Sequence, residues 1–160
     1  SSRLKAVLID LRNNPGGLLS AAVESADLFL NQGVIVSTKS RSEGDQQFQA
    51  LPSLEFQNLK VGILINDRSA SAAEVFTAAL KEHGRAWVMG EKSYGKGVVQ
   101  KLFPLSNGAA LQMTVSHYYT PSGRMIEGVG IAPNQVYPMP HELKDESYVE
   151  HVAEILINRR

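Results

Sequence analysis

The sequence predicts an α/β domain, and three observations carry that prediction. Short runs rich in Val, Ile and Leu at Leu4 to Leu11, Gly33 to Thr38, Val61 to Ile65 and Arg85 to Gly90 read as strands. Apolar residues at helical spacing fill Leu18 to Leu30 and Ser71 to His83. Polar or glycine-rich turns separate the strands from the helices that follow them, as in a chain that builds βαβ units.

The elements follow in order. LKAVLIDL (Leu4 to Leu11) is a strand, and Arg12 to Gly17 is a turn punctuated by Asn-Pro and Gly-Gly. The helix from Leu18 buries Leu19, Val23, Ala26 and Leu30 and stops at Asn31-Gln32-Gly33. Gly33 to Thr38 completes a strand–helix–strand set that reads as a βαβ unit. Lys39 to Asn58 is a polar surface excursion in which Gln46 to Leu51 can pair as an edge strand, and the charges of Lys39, Arg41, Glu43 and Asp45 read as solvated.

Val61 to Gln100 is the organising stretch. It reads as a buried strand (Val61 to Ile65), a polar turn (Asn66 to Ala70), a helix with Ala72, Val75, Phe76, Ala79 and Leu80 on one face, a strand to Gly90, and a glycine-rich loop. Beyond it, Val98 to Leu105 and Ala109 to Ser116 flank Ser106-Asn107-Gly108, a hairpin signal. Thr120-Pro121-Ser122-Gly123 is a turn and Gly128 to Pro133 a loop. A helix resumes from Glu142 with Val149, Val152, Ala153 and Leu156 on one face, closed by Arg159 and Arg160.

Composition narrows the function classes. The 160 residues are 43% apolar, enough for one core, and no repeat or linker divides them, so residues 1–160 read as a single domain. Sixteen basic and sixteen acidic residues leave no charge excess to attract nucleic acid or a membrane surface. The absence of cysteine rules out disulfides and thiol catalysis. No apolar run approaches the ~18 residues of a membrane span. Opening at Ser1 almost directly in a strand, the chain reads as a fragment of a longer protein.

Ser71 falls where the polar turn becomes the helix, beside unpaired N–H groups and the positive end of the dipole, a setting that favours an anion. Lys96 lies 25 residues on between Gly95 and Gly97, with Gln100 four further. A lysine shielded from water can serve as the base a serine nucleophile needs. Plainer readings stand beside this one: Ser71 as an N-cap, Lys96 as a solvated loop lysine, and Gly16 and Gly17 as a simple turn. GEKSYGKG (Gly90 to Gly97) also comes within one residue of a phosphate-binding P-loop, but Gly97 stands where Ser or Thr is needed and a strand follows instead of a helix. The four histidines, His83, His117, His141 and His151, lack metal-ligand spacing. His83 reads as structural, and His117 is the one alternative base, although no G-x-S-x-G elbow accompanies it. Asp10 and Arg12 read as a salt bridge of little worth beside the glycine loop.

Asn66 to Glu74 together with GEKSYGKGVVQ, DLRNNPGG (Asp10 to Gly17) and YYTPSGRMIEGVGIAPN (Tyr118 to Asn134) resemble the carboxy-terminal processing peptidases, or tail-specific proteases. The resemblance covers nearly the whole chain in the right order and spacing. It implies a crotonase/ClpP-like α/β core with βαβ units, a β-hairpin and a terminal helix. It also implies a Ser–Lys dyad with Ser71 as nucleophile, Lys96 as base and Gln100 orienting it, and an oxyanion hole shared between Gly16 or Gly17 and the N–H of Ala72. Ser69, two residues upstream, is expected to be dispensable. The family works on protein or peptide substrates at their C-terminal tails, without cofactor, metal or nucleic acid. The resemblance implies the periplasm, another extracytoplasmic site or the thylakoid lumen, and leaves a homo-oligomer open. The PDZ domain that family members carry ahead of this core has no counterpart here. A non-proteolytic binding or scaffolding module of the same fold is the alternative, and the Ser71–Lys96 pair favours the enzyme.

Overall fold

The computed structural model describes residues 4–40, 44–53, 56–139 and 145–159. Two four-stranded sheets form the frame. Strands β1 (Ala6–Asp10), β4 (Lys60–Ile65), β5 (Ala86–Gly90) and β8 (Gln135–Val136) make a parallel sheet in the order β1-β4-β5-β8. Strands β2 (Val34–Ser40), β3 (Gln46–Gln49), β6 (Val98–Pro104) and β7 (Ala110–Tyr119) make an antiparallel sheet in the order β3-β2-β7-β6. Helices α1 (Leu19–Asp27), α2 (Ala72–Glu82) and α3 (Asp145–Asn158) complete the fold.

The parallel sheet is covered on both faces, and β4 records this residue by residue. Val61, Ile63 and Ile65 join the core formed with α1, α2 and β2, while Leu64 joins Met89 and the α3 residues Tyr148, Val152 and Leu156. A strand buried on both faces reads as a continuous apolar run, which is how β4 reads in the sequence. Ile63, Leu64, Val88 and Met89 are fully buried, each such side chain contributing roughly 1.5–3 kcal/mol. Gly62 lets α3 approach, since a Cβ there would lie 2.7 Å from Leu156 Cδ2.

Three readings change. The first strand–helix–strand set is not a βαβ unit: β1 pairs in parallel with β4, while β2 leaves for the antiparallel sheet. The true βαβ unit is β4–α2–β5. Helix α2 is not one-sided, for every residue from Ala72 to Leu80 is buried, Glu74 and Thr77 included. Packed between the two sheets and α1, it is enclosed all round. The short strand β8 escapes sequence reading because two residues carry no periodicity. Gln46–Gln49 does form the expected edge strand, and the Asn107-Gly108 turn closes the expected hairpin. Arg41, Glu43, His141, Arg160 and the start of the last helix reading at Glu142 lie outside the described residues.

Candidate active site

Parallel pairing puts the carboxyl ends of β1, β4 and β5 on one edge of the sheet, where open α/β sheets place their ligands. The turn after the central strand β4 carries Ser71. On one side lies the glycine loop after β1, on the other the loop after β5 that carries Lys96. Backbone and side-chain bonds stitch the three together. Ala70 N–H donates to the Asn14 carbonyl (2.9 Å), Asn13 N–H to Asn66 Oδ1 (2.9 Å), and Tyr94 N–H to the Ser69 carbonyl (3.0 Å).

Ser69 is built into the frame of this turn. Its hydroxyl is fully buried, donates to the Leu11 carbonyl at 2.7 Å and accepts from Asn66 N–H at 3.0 Å. It is a structural pin, excluded from nucleophilic work by its burial.

Ser71 is the N-cap of α2 and forms a capping box with Glu74. Capping does not account for its backbone, however. An N-cap residue is ordinarily extended, whereas Ser71 has φ 55 and ψ −119. Such a conformation costs on the order of 1–3 kcal/mol and is characteristic of functional sites. It occurs at a strand-to-helix turn without a G-x-S-x-G motif. The Ser71 N–H is consumed by Glu74 Oε2 at 2.8 Å.

The glycine loop meets this turn closely. Gly16 has φ +107, and a Cβ there would fall 2.8 Å from both the Ala70 oxygen and Ser71 Cβ and 2.9 Å from Ala72 N. Its own N–H is taken by Asn14 Oδ1 at 2.9 Å. Gly17 is open, and a Cβ there would meet nothing within 4 Å beyond its chain neighbours. Among the described residues, the N–H groups of Gly17 and Ala72 have no hydrogen-bond partner. Asn14 thus separates two glycines that the sequence leaves equivalent.

The loop that carries Lys96, the candidate base, is built in the opposite way. Ser93 N–H donates to the Ile131 carbonyl, Tyr94 N–H to Ser69, Gly95 N–H to Glu74 Oε1 (2.7 Å), Lys96 N–H to Glu74 Oε2 (2.8 Å) and Gly97 N–H to Glu127 Oε2 (2.6 Å). This explains the near-match to a P-loop: its amides do converge on an anion, but the anion is the protein's own Glu74 carboxylate. The Lys96 side chain is exposed, contrary to the shielding expected of a base, while the glycines on either side of it, at 95 and 97, are buried. No hydrogen bond joins Lys96 Nζ to Ser71 among the described residues. Gln100 sits beside a register shift in β6, and its Oε1 accepts from Gln112 Nε2 at 2.8 Å. The structure therefore brings the backbones of Ser71 and Lys96 together, and holds Gln100 on the hairpin.

Other candidates find structural roles. His83 is the C-cap of α2, with Nε2 2.7 Å from the Val34 carbonyl. His117 lies on β7, paired across the sheet with Lys39 and Val98. Arg12 is more than a surface pair: it grips Asp10 through two side-chain nitrogens, reaches Asp145 at 2.8 Å and lies over the Tyr148 ring. The hydrogen bond to Asp10 holds its guanidinium above the usual arginine range, against the opposing effect of burial. It ties the root of the glycine loop to α3. The residue that sequence reasoning passes over is Glu74. Its signal is present in Ser71-x-x-Glu74, a capping box by spacing.

A cleft of about 380 Å³ opens beside Gly17 and Ala72, walled by Leu18, Ala22, Leu28, Phe29 and Phe76 and carrying no charged side chain.

The chain resembles known proteins over most of its length. The chain is 44% identical over 149 residues to the carboxy-terminal-processing protease of Bartonella bacilliformis, covering 92% of this chain and 34% of that protein. It is 42% identical over 131 residues to the carboxyl-terminal-processing protease of Picosynechococcus, covering 82% and 31%. The chain thus spans about a third of the length of these curated relatives. Among solved structures, the photosystem II D1 C-terminal processing protease superposes with a TM-score of 0.79 at 32% identity, over 94% of this chain and 38% of that one. Residues 1–137 match the profile of the family described as peptidase family S41, and the chain belongs to that family.

Proposed function

We propose that this chain is the catalytic core of a serine endopeptidase that cleaves protein substrates near their C-termini through a Ser71–Lys96 dyad. One observation carries the reading. Ser71 is held at positive φ at the start of a buried helix, and the amides of Ala72, the next residue, and of Gly17 in the neighbouring glycine loop are both left without partners among the described residues. A serine needed only as a cap has no reason to bear that strain.

Ser71 Oγ bonds to the scissile carbonyl carbon as its proton passes to the neutral amine of Lys96. The oxygen that gains charge accepts from Gly17 N–H and Ala72 N–H, donors already fixed by the loop and the helix start. Collapse breaks the C–N bond, Lys96 returns the proton to the leaving amine, and water repeats the sequence on the acyl-serine. Bound substrate shields Lys96 from water, and Gln100 orients it from β6. The uncharged walls beside Gly17 and Ala72 suit an apolar side chain on the residue whose carbonyl is attacked. The names of the relatives support C-terminal tails as substrates.

Peptide hydrolysis by the complete gene product tests this. Ser71→Ala is expected to abolish it with the melting temperature preserved. Lys96→Arg should be as inactive as Lys96→Ala, because a guanidinium retains its proton throughout the working range. Robust turnover by Lys96→Arg, with loss in His117→Ala, would replace the dyad by a Ser–His pair.

A further inference from the structure

Glu74 does more than close a capping box. The side chain is completely buried, and four donors converge on its two oxygens, the full acceptor capacity of an ionised carboxylate. Oε1 accepts from Ser93 Oγ at 2.5 Å and Gly95 N–H at 2.7 Å. Oε2 accepts from Ser71 N–H and from Lys96 N–H, both at 2.8 Å. A capping box requires only the bond to Ser71. The other three donors come from a loop about twenty residues further along the chain, so the carboxylate joins two segments that approach only in the folded protein. Ser93 is itself locked from the far side, its hydroxyl accepting from Ile131 N–H at 2.6 Å.

We infer that Glu74 is a positioning residue for the dyad: a single oxygen, Oε2, binds the backbone amides of both the nucleophile and the base and so sets the distance between them. The inference rests on the serine-peptidase reading above. Two consequences are particular to it. With its N–H committed to Glu74, Ser71 does not donate to the oxyanion, and that duty passes to Ala72 and Gly17. In the resting protein the base, whose side chain is exposed and has no hydrogen-bond partner among the described residues, takes its placement from its backbone. Loosening that backbone therefore acts on the chemical step and not on substrate binding.

The test uses the complete gene product, with kcat and KM for a peptide substrate expressed per folded molecule and reaction of Ser71 with a fluorophosphonate as a second readout. Glu74→Ala is expected to lower kcat about 10²-fold, the cost of a misplacement near 1 Å, with KM close to the parent's. Glu74→Gln should recover part of the loss, because its amide oxygen can still bridge Ser71 N–H and Lys96 N–H while the NH₂ faces Ser93 and Gly95. Phosphonate labelling should follow the same order. Should Glu74→Ala fail to fold, Ser93→Ala carries the test, since it removes one of the four donors that hold the carboxylate and so loosens the bridge without deleting it. A smaller fall in kcat at unchanged KM supports the inference. A parent-like kcat per folded molecule in these variants, or a loss confined to KM, overturns it. Activity that survives Ser71→Ala would instead overturn the peptidase reading on which it stands.

Discussion

The loops after β1 and β5 flank the same serine and are both rich in glycine, yet they treat their amides in opposite ways. The glycine loop spends Gly16 N–H on Asn14 and leaves Gly17 N–H without a partner among the described residues. The base loop spends every amide from Ser93 to Gly97, on Ile131, Ser69, Glu74 and Glu127. One loop keeps an amide free among the described residues; the other is an anchor already saturated in the resting protein. Unpaired amides are tolerable in the first because the loop edge is open to water, and Gly17 is exposed. In the second, Gly95 and Gly97 are buried, so each amide needs a partner within the protein.

Substitutions can break this contrast. The largest effect is expected at Gly16: an alanine there combines a positive φ with a methyl 2.8 Å from Ser71 Cβ and 2.9 Å from Ala72 N, which displaces a donor of the proposed oxyanion hole. Turnover should fall about 10²–10³-fold, the typical cost of losing one such donor. Gly17→Ala keeps its N–H and points its methyl into open space, so it should remain near the parent. Equal losses at the two positions would show that the loop works as a plain turn. In the base loop, Gly97→Ala should be read first as lost stability, about 1–3 kcal/mol from chemical unfolding, because its methyl would meet Glu127 N at 2.3 Å and Ile126 backbone at 2.9 Å. Gly97→Ala with parental stability but reduced kcat would show that this loop, too, acts chiefly on chemistry.

The smallest effect lies at the far end of α2. Glu82 accepts from Arg124 and, at 2.8 Å, from Ser122 N–H. Burial pushes the Glu82 carboxyl up, but these hydrogen bonds outweigh it and hold the carboxyl below the usual range. A carboxyl depressed in the folded state adds stability above its unfolded value, near 4.5, and loses it as pH falls through the lower folded value. Arg124→Ala should therefore cost at most about 1 kcal/mol at neutral pH, and the difference from the parent should vanish in acid. A difference that persists at low pH would assign the contact to packing instead.

Local sequence determined much of this protein. The strand and helix runs, the helix start at Ser71 and the Asn107-Gly108 hairpin all follow from periodicity and turn chemistry acting over a few residues. The motif blocks around Gly16, Ser71, Lys96 and Tyr118 carried the family, because their order and spacing are readable along the chain. Tertiary structure alone decided what depends on partners far away in sequence. It sent β2 to the antiparallel sheet, since a strand's own pattern does not name the strand it pairs with. It separated Gly16 from Gly17, because only the folded loop shows which amide Asn14 takes. It left Lys96 exposed while burying its glycine neighbours. Glu74 marks the division most clearly: spacing reveals a capping box, but the Ser93, Gly95 and Lys96 donors that make it a bridge are brought to it only when β5 pairs beside β4.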